Sequence, residues 1–149
     1  MAKRSEKTVL FLCTGNYYRS RFADIVFNHL AQRRGLNWRA ESRGLAREFG
    51  PWNVGPISKY AIEALNVRGI CCDSVSHDPA HCFEDDLSRA DRVIALKEAE
   101  HRPMMAKHFP QWENRVEYWH VHDLDGATPD IALGEIETLV TKLVEELAR

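Results

Sequence analysis

Long apolar runs are missing from this sequence of 149 residues, and none approaches the roughly 20 residues that a membrane-spanning helix needs. An excess of positive charge is missing as well, because 20 Lys and Arg face 22 Asp and Glu, which leaves a net charge of -2. Without a positive field, nucleic acid is not an expected partner. The basic start MAKRSEK is followed by an apolar stretch that is too short for a secretory signal peptide. We therefore expect a cytoplasmic protein that binds neither a membrane nor nucleic acid.

Cysteine is scarce, with four residues in the chain. They are Cys13, Cys71, Cys72 and Cys82. In a cytoplasmic protein they are expected to be thiols rather than disulfides. Together with His77 and His81, the last three suggest a metal cluster, but zinc sites show more regular ligand spacing. We therefore interpret this segment as a loop with surface histidines, and we expect no metal and no cofactor.

Internal repeats and low-complexity linkers are also lacking. A chain of this size buries roughly 70% of the surface that it exposes when unfolded, which is enough for a core without disulfides. The hydrophobic content of 44% and the charged content of 28% are typical of a globular protein. Residues 1–149 are therefore predicted to form a single domain, and nothing in the sequence demands more than a monomer.

The chain does contain an alternation of apolar strands and amphipathic helices. Short apolar runs predict strands over residues 8–13, 38–42, 92–96 and 116–121. Apolar residues at helical spacing predict helices over residues 19–34, 56–69 and 98–107, and a last helix over about 136–147. Such βα units form a parallel sheet through right-handed crossovers, here a four-stranded α/β sheet in a three-layer αβα sandwich. Ligands of these sheets bind beyond the carboxyl ends of the strands, where Cys13 and the segment after Val121 lie.

The stretch CTGNYYRS places one thiol at the end of the first strand and a guanidinium six positions later. A tight loop between a strand and a helix can turn successive backbone N–H groups inward, which creates an anion-binding site at the helix N-terminus. Gly15 relaxes the backbone of this loop, and Arg19 can grip two oxygens of a phosphate. Such positive surroundings favour the thiolate of Cys13, and Ser20 could donate a hydrogen bond to it. The pattern predicts a cysteine nucleophile aimed at a bound phosphorus.

A simpler interpretation of this pattern is available. Cysteine is often a small buried hydrophobe, and in a chain with 20 Lys and Arg some cysteines have an arginine six positions later by chance. The strand before Cys13, the helix that starts near Arg19, and the small residues Gly15 and Asn16 between them favour the catalytic interpretation.

With these residues in view, the sequence resembles the low-molecular-weight protein-tyrosine phosphatases, which carry Cys-x5-Arg-Ser between the first strand and the first helix. CTGNYYRS matches that motif, and ESRGL is similar to the family's second-strand segment, with Ser42 at its serine. PWNVGPISKYAIEAL is similar to the segment that brings a tryptophan, here Trp52, to the mouth of the site. SHDPAHCFEDDLSRADRVIAL is similar to the segment with a loop histidine, here His77. The resemblance extends over nearly the whole chain and implies a flavodoxin-like fold.

The resemblance also implies the chemistry. Cys13 would attack phosphorus and form a cysteinyl-phosphate, without a metal or a cofactor. Arg19 and the loop backbone would hold the phosphate oxygens. The residues implied in phosphate binding are Thr14, Gly15, Asn16, Tyr17, Tyr18, Arg19 and Ser20.

Further roles follow from the same resemblance. Asn16 would shape the loop with support from Ser42 and His77. Tyr17 and Trp52 would contact the substrate, which is implied to be phosphotyrosine in a protein or a small aryl phosphate.

The general acid is implied to be Asp123, because it falls at the family's aspartate after the fourth strand. This carboxylate would protonate the departing phenolate and then activate water. The family continues with a proline and an aromatic residue, whereas VHDLDG has Leu124 and Asp125 there. Asp125 is the reserve candidate, and either carboxylate could instead cap a helix or complete a turn.

Other positions in the loop depart from the family pattern. Tyr18 replaces a second cysteine that can trap the oxidised nucleophile as a disulfide, so Cys13 should over-oxidise more readily. Tyr17 lies where pocket width is set, and it could stack on an aryl phosphate or close the slot. Relatives with threonine there favour phosphoarginine, so Tyr17 argues against that specificity. Arg21 replaces a helix-starting proline and would add positive charge near the mouth of the site.

Two alternatives to phosphomonoester hydrolysis stay open. A thiol-dependent arsenate reductase of the same fold opens with a similar CTGN loop, and Cys72 and Cys82 lie in the region of its further cysteines, though at a different spacing. A phosphate-binding pseudophosphatase would keep the nucleophile and the loop but would have lost proton transfer through the altered DLDG segment.

Overall fold

The computed structural model describes residues 6–47, 57–70, 79–121 and 129–149. Its strands are β1 (Lys7–Cys13), β2 (Trp38–Gly44), β3 (Arg92–Ala95) and β4 (Glu117–Tyr118). Its helices are α1 (Arg19–Arg34), α2 (Lys59–Val67), α3 (Glu84–Arg89), α4 (Glu98–His108) and α5 (Pro129–Leu147), with a 3-10 turn at Pro110–Trp112. No helix in these ranges is both long enough and apolar enough to cross a membrane.

The four strands form one parallel sheet in the order β2-β1-β3-β4. β1 lies inside the sheet, and residues 9–12 are fully buried. In register, Cys13 lies opposite Gly44 and Leu12 lies opposite Ala95, so the carboxyl ends of three strands meet at one edge. The chain proceeds from β1 to β2 on one side and then to β3 on the other side. The topological switch point, where such sheets bind ligands, therefore lies at the end of β1.

Alternate side chains of β1 pack into two separate cores. Val9 and Phe11 belong to the core that β1 forms with α1, α2 and α5. Leu10 and Leu12 belong to the core that it forms with α3 and α4. Because successive strand residues point to opposite faces, these two cores cover the two faces of the sheet. The fold is a three-layer α/β structure around a parallel sheet, which confirms the predicted fold class.

The fourth strand is shorter than the sequence predicts. β4 covers two residues instead of 116–121. Trp119 and Val121 nevertheless donate backbone hydrogen bonds of 2.8 and 2.9 Å to the chain at the end of β3. The polypeptide therefore continues along the edge of the sheet as irregular backbone after Tyr118.

Two helices also differ from the expectation. The pattern does not predict α3, because six residues are too few to show a helical period. The feature that could have indicated α3 is the cap at its N-terminus, because the Asp86 carboxylate accepts a hydrogen bond of 2.8 Å from the N–H of Phe83. α5 begins at Pro129 rather than near residue 136, and proline suits the first position of a helix.

Candidate active site

Residues 14–18 form the loop between β1 and α1 at the carboxyl edge of the sheet. The carbonyls of Cys13 and Thr14 accept hydrogen bonds of 2.8 and 3.0 Å from the backbone just after β2. The carbonyl of Tyr17 accepts one of 2.9 Å from Ser58, the residue that caps α2. In a planar trans peptide, the N–H of the next residue points opposite to the carbonyl. The N–H groups of residues 14, 15 and 18 therefore point away from these partners, which is the orientation that an anion-binding loop requires of them.

Asn16 ties this loop to the rest of the protein. The residue is fully buried and has a φ of 49°, in the left-handed region that asparagine tolerates better than most residues. Its Nδ2 donates to Ser20 Oγ and to Ser42 Oγ, both at 2.9 Å, and its Oδ1 accepts from the N–H of Ala80 at 2.9 Å. Because a backbone N–H can only donate, the bond from Ala80 fixes which end of the amide is oxygen. Asn16 thereby connects the loop to β2 and to the segment before α3.

The nucleophile candidate is buried beside a hydroxyl donor. The Cys13 side chain is 2% exposed, and its sulfur lies 2.9 Å from Ser20 Oγ. Ser20 Oγ already accepts a hydrogen bond from Asn16, so its own hydrogen is available to the sulfur. The structure therefore places a hydroxyl within hydrogen-bonding distance of the sulfur at the end of β1.

The arginine candidate lies at the start of α1. Arg19 is 8% exposed, and its Nη2 donates to Oε2 of Glu100 on α4 at 2.8 Å. The guanidinium therefore lies beside the first turn of α4, near the positive end of that helix. The structure brings a thiol, a hydroxyl donor and a guanidinium to one loop, although sequence reasoning had not singled out Glu100.

Asp24 is a second residue that sequence reasoning missed. It accepts a hydrogen bond from Ser42 Oγ, which itself accepts one from Asn16, so Asp24 ends a chain of hydrogen bonds that starts in the loop. Burial raises the pKa of Asp24 to about 7, while the bond from Ser42 and the charges of Arg21 and Arg43 oppose this rise. A carboxyl group thus supports the loop from inside the protein.

Arg21 does not lie at the mouth of the site, and that expectation is wrong. The side chain is fully buried and is among the largest fully buried side chains in the described part of the chain. Its charge acts on Asp24, which lies three residues later on the same helix. The charge of Arg21 therefore acts inside the protein and is not exposed on the surface to attract an acidic partner.

The Asp24→Asn variant should lose a pH dependence of folding stability. An acid whose pKa is raised on folding from 3.8 to about 7 stabilises the fold fully below the lower value, and this contribution is lost as the pH rises to the higher value. Asparagine keeps an acceptor for Ser42 but does not titrate. Urea unfolding should therefore show wild type losing a few kcal/mol relative to the variant between about pH 4 and about pH 8. If the difference in unfolding free energy between wild type and variant were the same at both pH values, Asp24 would stay charged and pair with the arginines.

Tyr18 stands where the resembling family has its second cysteine. Its ring packs against the core shared by α1 and α5. The other cysteine in the described ranges is Cys82, which is also buried, and burial raises its pKa to about 12. Within those ranges no group of three or more His, Cys, Asp or Glu side chains is arranged to hold a metal ion.

Several predicted residues lie outside the described part of the chain. They are Trp52, Cys71, Cys72, His77, Asp123 and Asp125. Their roles remain predictions. Among the predicted supports of Asn16, the structure describes Ser42, and it adds the backbone of Ala80 just after the segment of the expected histidine.

A parallel α/β fold that brings a buried thiol, a hydroxyl and a guanidinium to one loop at its topological switch point has the arrangement of a class of cysteine-dependent phosphate enzymes. The family model described as low molecular weight phosphotyrosine protein phosphatase matches residues 8–149, and the chain belongs to this family. Family membership confirms the predicted enzyme class, a cysteine-dependent phosphatase.

Three similar proteins cover nearly the whole chain. A protein-arginine-phosphatase of Bacillus subtilis (strain 168) is 29% identical, over 95% of this chain and 97% of its own length. The crystal structure of a low molecular weight protein tyrosine phosphatase from T. tengcongensis is 28% identical, with a TM-score of 0.77 over 94% of this chain and 99% of that chain. A YwlE arginine phosphatase in which serine replaces a cysteine, and whose active-site serine is phosphorylated, is 27% identical, with a TM-score of 0.77 over 95% and 96% of the two chains.

Proposed function

We propose that this chain hydrolyses phosphomonoesters through a cysteinyl-phosphate at Cys13. The observation that carries the proposal is the 2.9 Å contact between Cys13 Sγ and Ser20 Oγ, at a loop whose carbonyls are bonded to neighbouring segments. In the proposed reaction the hydroxyl donates a hydrogen bond to the sulfur as it leaves phosphorus, which eases the second step. A cysteine that only filled space in the core would need no such donor.

The proposed reaction has two steps, transfer of the phosphoryl group to Cys13 and hydrolysis of the resulting S–P bond. In the first step the Cys13 thiolate attacks phosphorus, an S–P bond forms, and the P–O bond to the leaving group breaks as Asp123 gives that oxygen its proton. In the second step Asp123 takes a proton from water, the water oxygen attacks phosphorus, and the S–P bond breaks to release phosphate. Arg19 and the inward N–H groups stabilise the charge on the phosphoryl oxygens in both transition states.

Phosphotyrosine in proteins is the substrate that we propose. The family match supports it, and so does a tyrosine at position 17, whose ring can stack on an aryl group. Phosphoarginine is the second candidate. It is favoured by the similarity to a protein-arginine-phosphatase over nearly the full length of both proteins.

Two peptides of the same sequence, one carrying phosphotyrosine and one carrying phosphoarginine, separate the two candidates. We expect kcat/KM of the wild type to favour the phosphotyrosine peptide by at least about tenfold, and we expect Tyr17→Thr to narrow this ratio. A wild-type preference for the phosphoarginine peptide would refute the substrate assignment but would leave the cysteine chemistry intact.

The Asp123→Asn variant should slow poor leaving groups most. The acid assists bond cleavage in proportion to the basicity of the departing oxygen, so we expect a larger loss of kcat/KM for phenyl phosphate than for nitrophenyl phosphate. Asp125→Asn is the matched control and should affect both substrates equally little. Equal slowing of both substrates by Asp123→Asn, or a leaving-group effect in the Asp125 variant, would contradict the assignment.

The remaining features of the proposal are a single domain over residues 1–149, a monomer and a cytoplasmic location. Both cores contain residues of helices and strands from across the described chain, which supports one domain. Gel filtration would test the monomer.

The family match favours hydrolysis over a pseudophosphatase or an arsenate reductase. Burial raises the pKa of Cys82 to about 12, which disfavours the thiolate that a reductase relay requires. Arsenate-dependent thiol consumption that needs Cys72 or Cys82 would reverse this conclusion.

A further inference from the structure

We propose that Glu100 is a positioning residue that holds both ends of the phosphate-binding loop, through Thr14 and Arg19, in the geometry that phosphoryl transfer requires. This inference rests on the proposed function of that loop. Glu100 lies in the first turn of α4 and belongs to none of the motifs that point to the active site.

One carboxylate oxygen contacts hydrogen-bond donors from three segments of the chain. Oε2 of Glu100 accepts from the hydroxyl of Thr14 and from Nη2 of Arg19 at 2.8 Å, and it lies 3.1 Å from Nε2 of His101. Thr14 directly follows β1, and Arg19 is the first residue of α1. A single atom therefore joins the start of the loop, the end of the loop and α4.

His101 donates to this carboxylate as a neutral ring. The N–H of Lys97 donates to Nδ1 of His101 at 3.0 Å, so Nδ1 carries no proton and Nε2 carries one. The ring is fully buried, and burial, reinforced by the charge of Arg19, lowers the pKa of His101 despite the bond to Glu100. The histidine thus fixes the carboxylate without adding a positive charge to the site.

Glu100 is ionised and cannot serve as the general acid. The hydrogen bonds from His101, Arg19 and Thr14 hold the pKa of Glu100 well below its ordinary value, although burial acts in the opposite direction. A permanent negative charge beside an anion site weakens the attraction for substrate. Its benefit is orientation, because a planar guanidinium held at one nitrogen loses rotational freedom and keeps its other N–H groups in fixed directions.

The test compares Glu100→Gln with Glu98→Gln. Glu98 lies in the same turn of α4 and pairs with Arg102 of that helix at 2.8 Å, so its variant removes the same charge from the same helix. We expect Glu100→Gln to lower kcat for an aryl phosphate by about tenfold or more, and Glu98→Gln to change it by less than about twofold. KM should not rise in Glu100→Gln, because the charge of Arg19 is no longer offset. A structural role alone would instead lower the melting temperature and leave kcat unchanged.

A double-mutant cycle tests whether the effect runs through the arginine. In an Arg19→Lys background, Glu100→Gln should lower kcat by a clearly smaller factor than in the wild type, because lysine has no planar fork to orient and only the contact with Thr14 is left to lose. The same loss in both backgrounds would overturn the inference, and so would a kcat for Glu100→Gln equal to that of Glu98→Gln. A higher kcat would overturn it too, because it would mean that the carboxylate competes with substrate for the guanidinium.

Thr14→Val provides an independent test if Glu100→Gln does not fold. Valine keeps the shape of threonine but removes one of the donors to Glu100. A several-fold fall in kcat with an unchanged melting temperature would support the inference, and an unchanged kcat would overturn it. A wild-type protein that hydrolyses no aryl phosphate would refute the proposed function itself, which is a different result from any of these comparisons.

Discussion

Replacing Cys13 by serine should reduce aryl phosphate hydrolysis by more than about ten-thousand-fold, to the background of the assay. The hydroxyl of serine is not ionised near neutral pH, and the hydrogen bond from Ser20 cannot compensate for a weaker nucleophile. Release of inorganic phosphate under steady-state conditions measures this loss. The variant should still bind inorganic phosphate, because the inward N–H groups of the loop and Arg19 remain.

Two controls separate a lost nucleophile from a lost fold. Phosphate should raise the melting temperature of Cys13→Ser as it does that of the wild type, since a ligand that binds only the folded state stabilises it. Cys82→Ser changes the other buried cysteine of the described ranges and should keep kcat within about twofold. Hydrolysis that survives in Cys13→Ser but is lost in Cys82→Ser would contradict the assignment of the nucleophile.

Arg19→Lys should lower kcat/KM by about a hundredfold to a thousandfold. Lysine keeps the positive charge but cannot present two N–H groups in a planar fork to the phosphoryl oxygens. Arg92→Lys is the matched control, because Arg92 pairs with Glu117 and Glu146 on the surface, and its variant should retain activity. If Arg19→Lys were as active as this control, charge alone would bind the phosphoryl group and the bidentate geometry would have no role.

The parts of the fold that local pattern determines could be predicted from the sequence. The apolar run that ends at Cys13 predicts β1, and the helical spacing that begins at Arg19 predicts α1 over the residues that the structure assigns to it. The loop between them was predicted as an anion-binding loop because strand, glycine and helix start are adjacent in sequence. The short helix α3 was not predictable in this way, because six residues are too few to show a helical period. The fourth strand was predicted over residues 116–121, but β4 covers only two of them.

The supports of the site could not be predicted, because they come from distant parts of the chain. Glu100 lies 81 residues after the arginine that it holds, and nothing in the local pattern of α4 points to that contact. Asp24 lies on α1 itself, but its partner Ser42 is 18 residues away on β2. Both contacts depend on how the helices pack on the sheet, which periodicity does not specify.

Arg21 shows why a position in a family pattern does not by itself give the surroundings of a side chain. Arg21 was expected near the mouth of the site because it stands where the resembling family has a helix-starting proline, and charged residues are usually exposed. In the structure residues 19–27 of α1 are all buried, because protein surrounds the first half of this helix. Where protein surrounds a helix on all sides, the helix has no face exposed to solvent, and its charged side chains are buried as well.

A cysteinyl-phosphate is detected directly when the reaction is stopped within the first turnover and the phosphate is located by peptide mass spectrometry. Asp123→Asn should enrich the trapped species, because the second step loses its base. We expect one phosphate, bound to the sulfur of Cys13, at a level that decays as inorganic phosphate appears. Phosphate on any other side chain, or product release with no phosphorylated enzyme at any time, would contradict it.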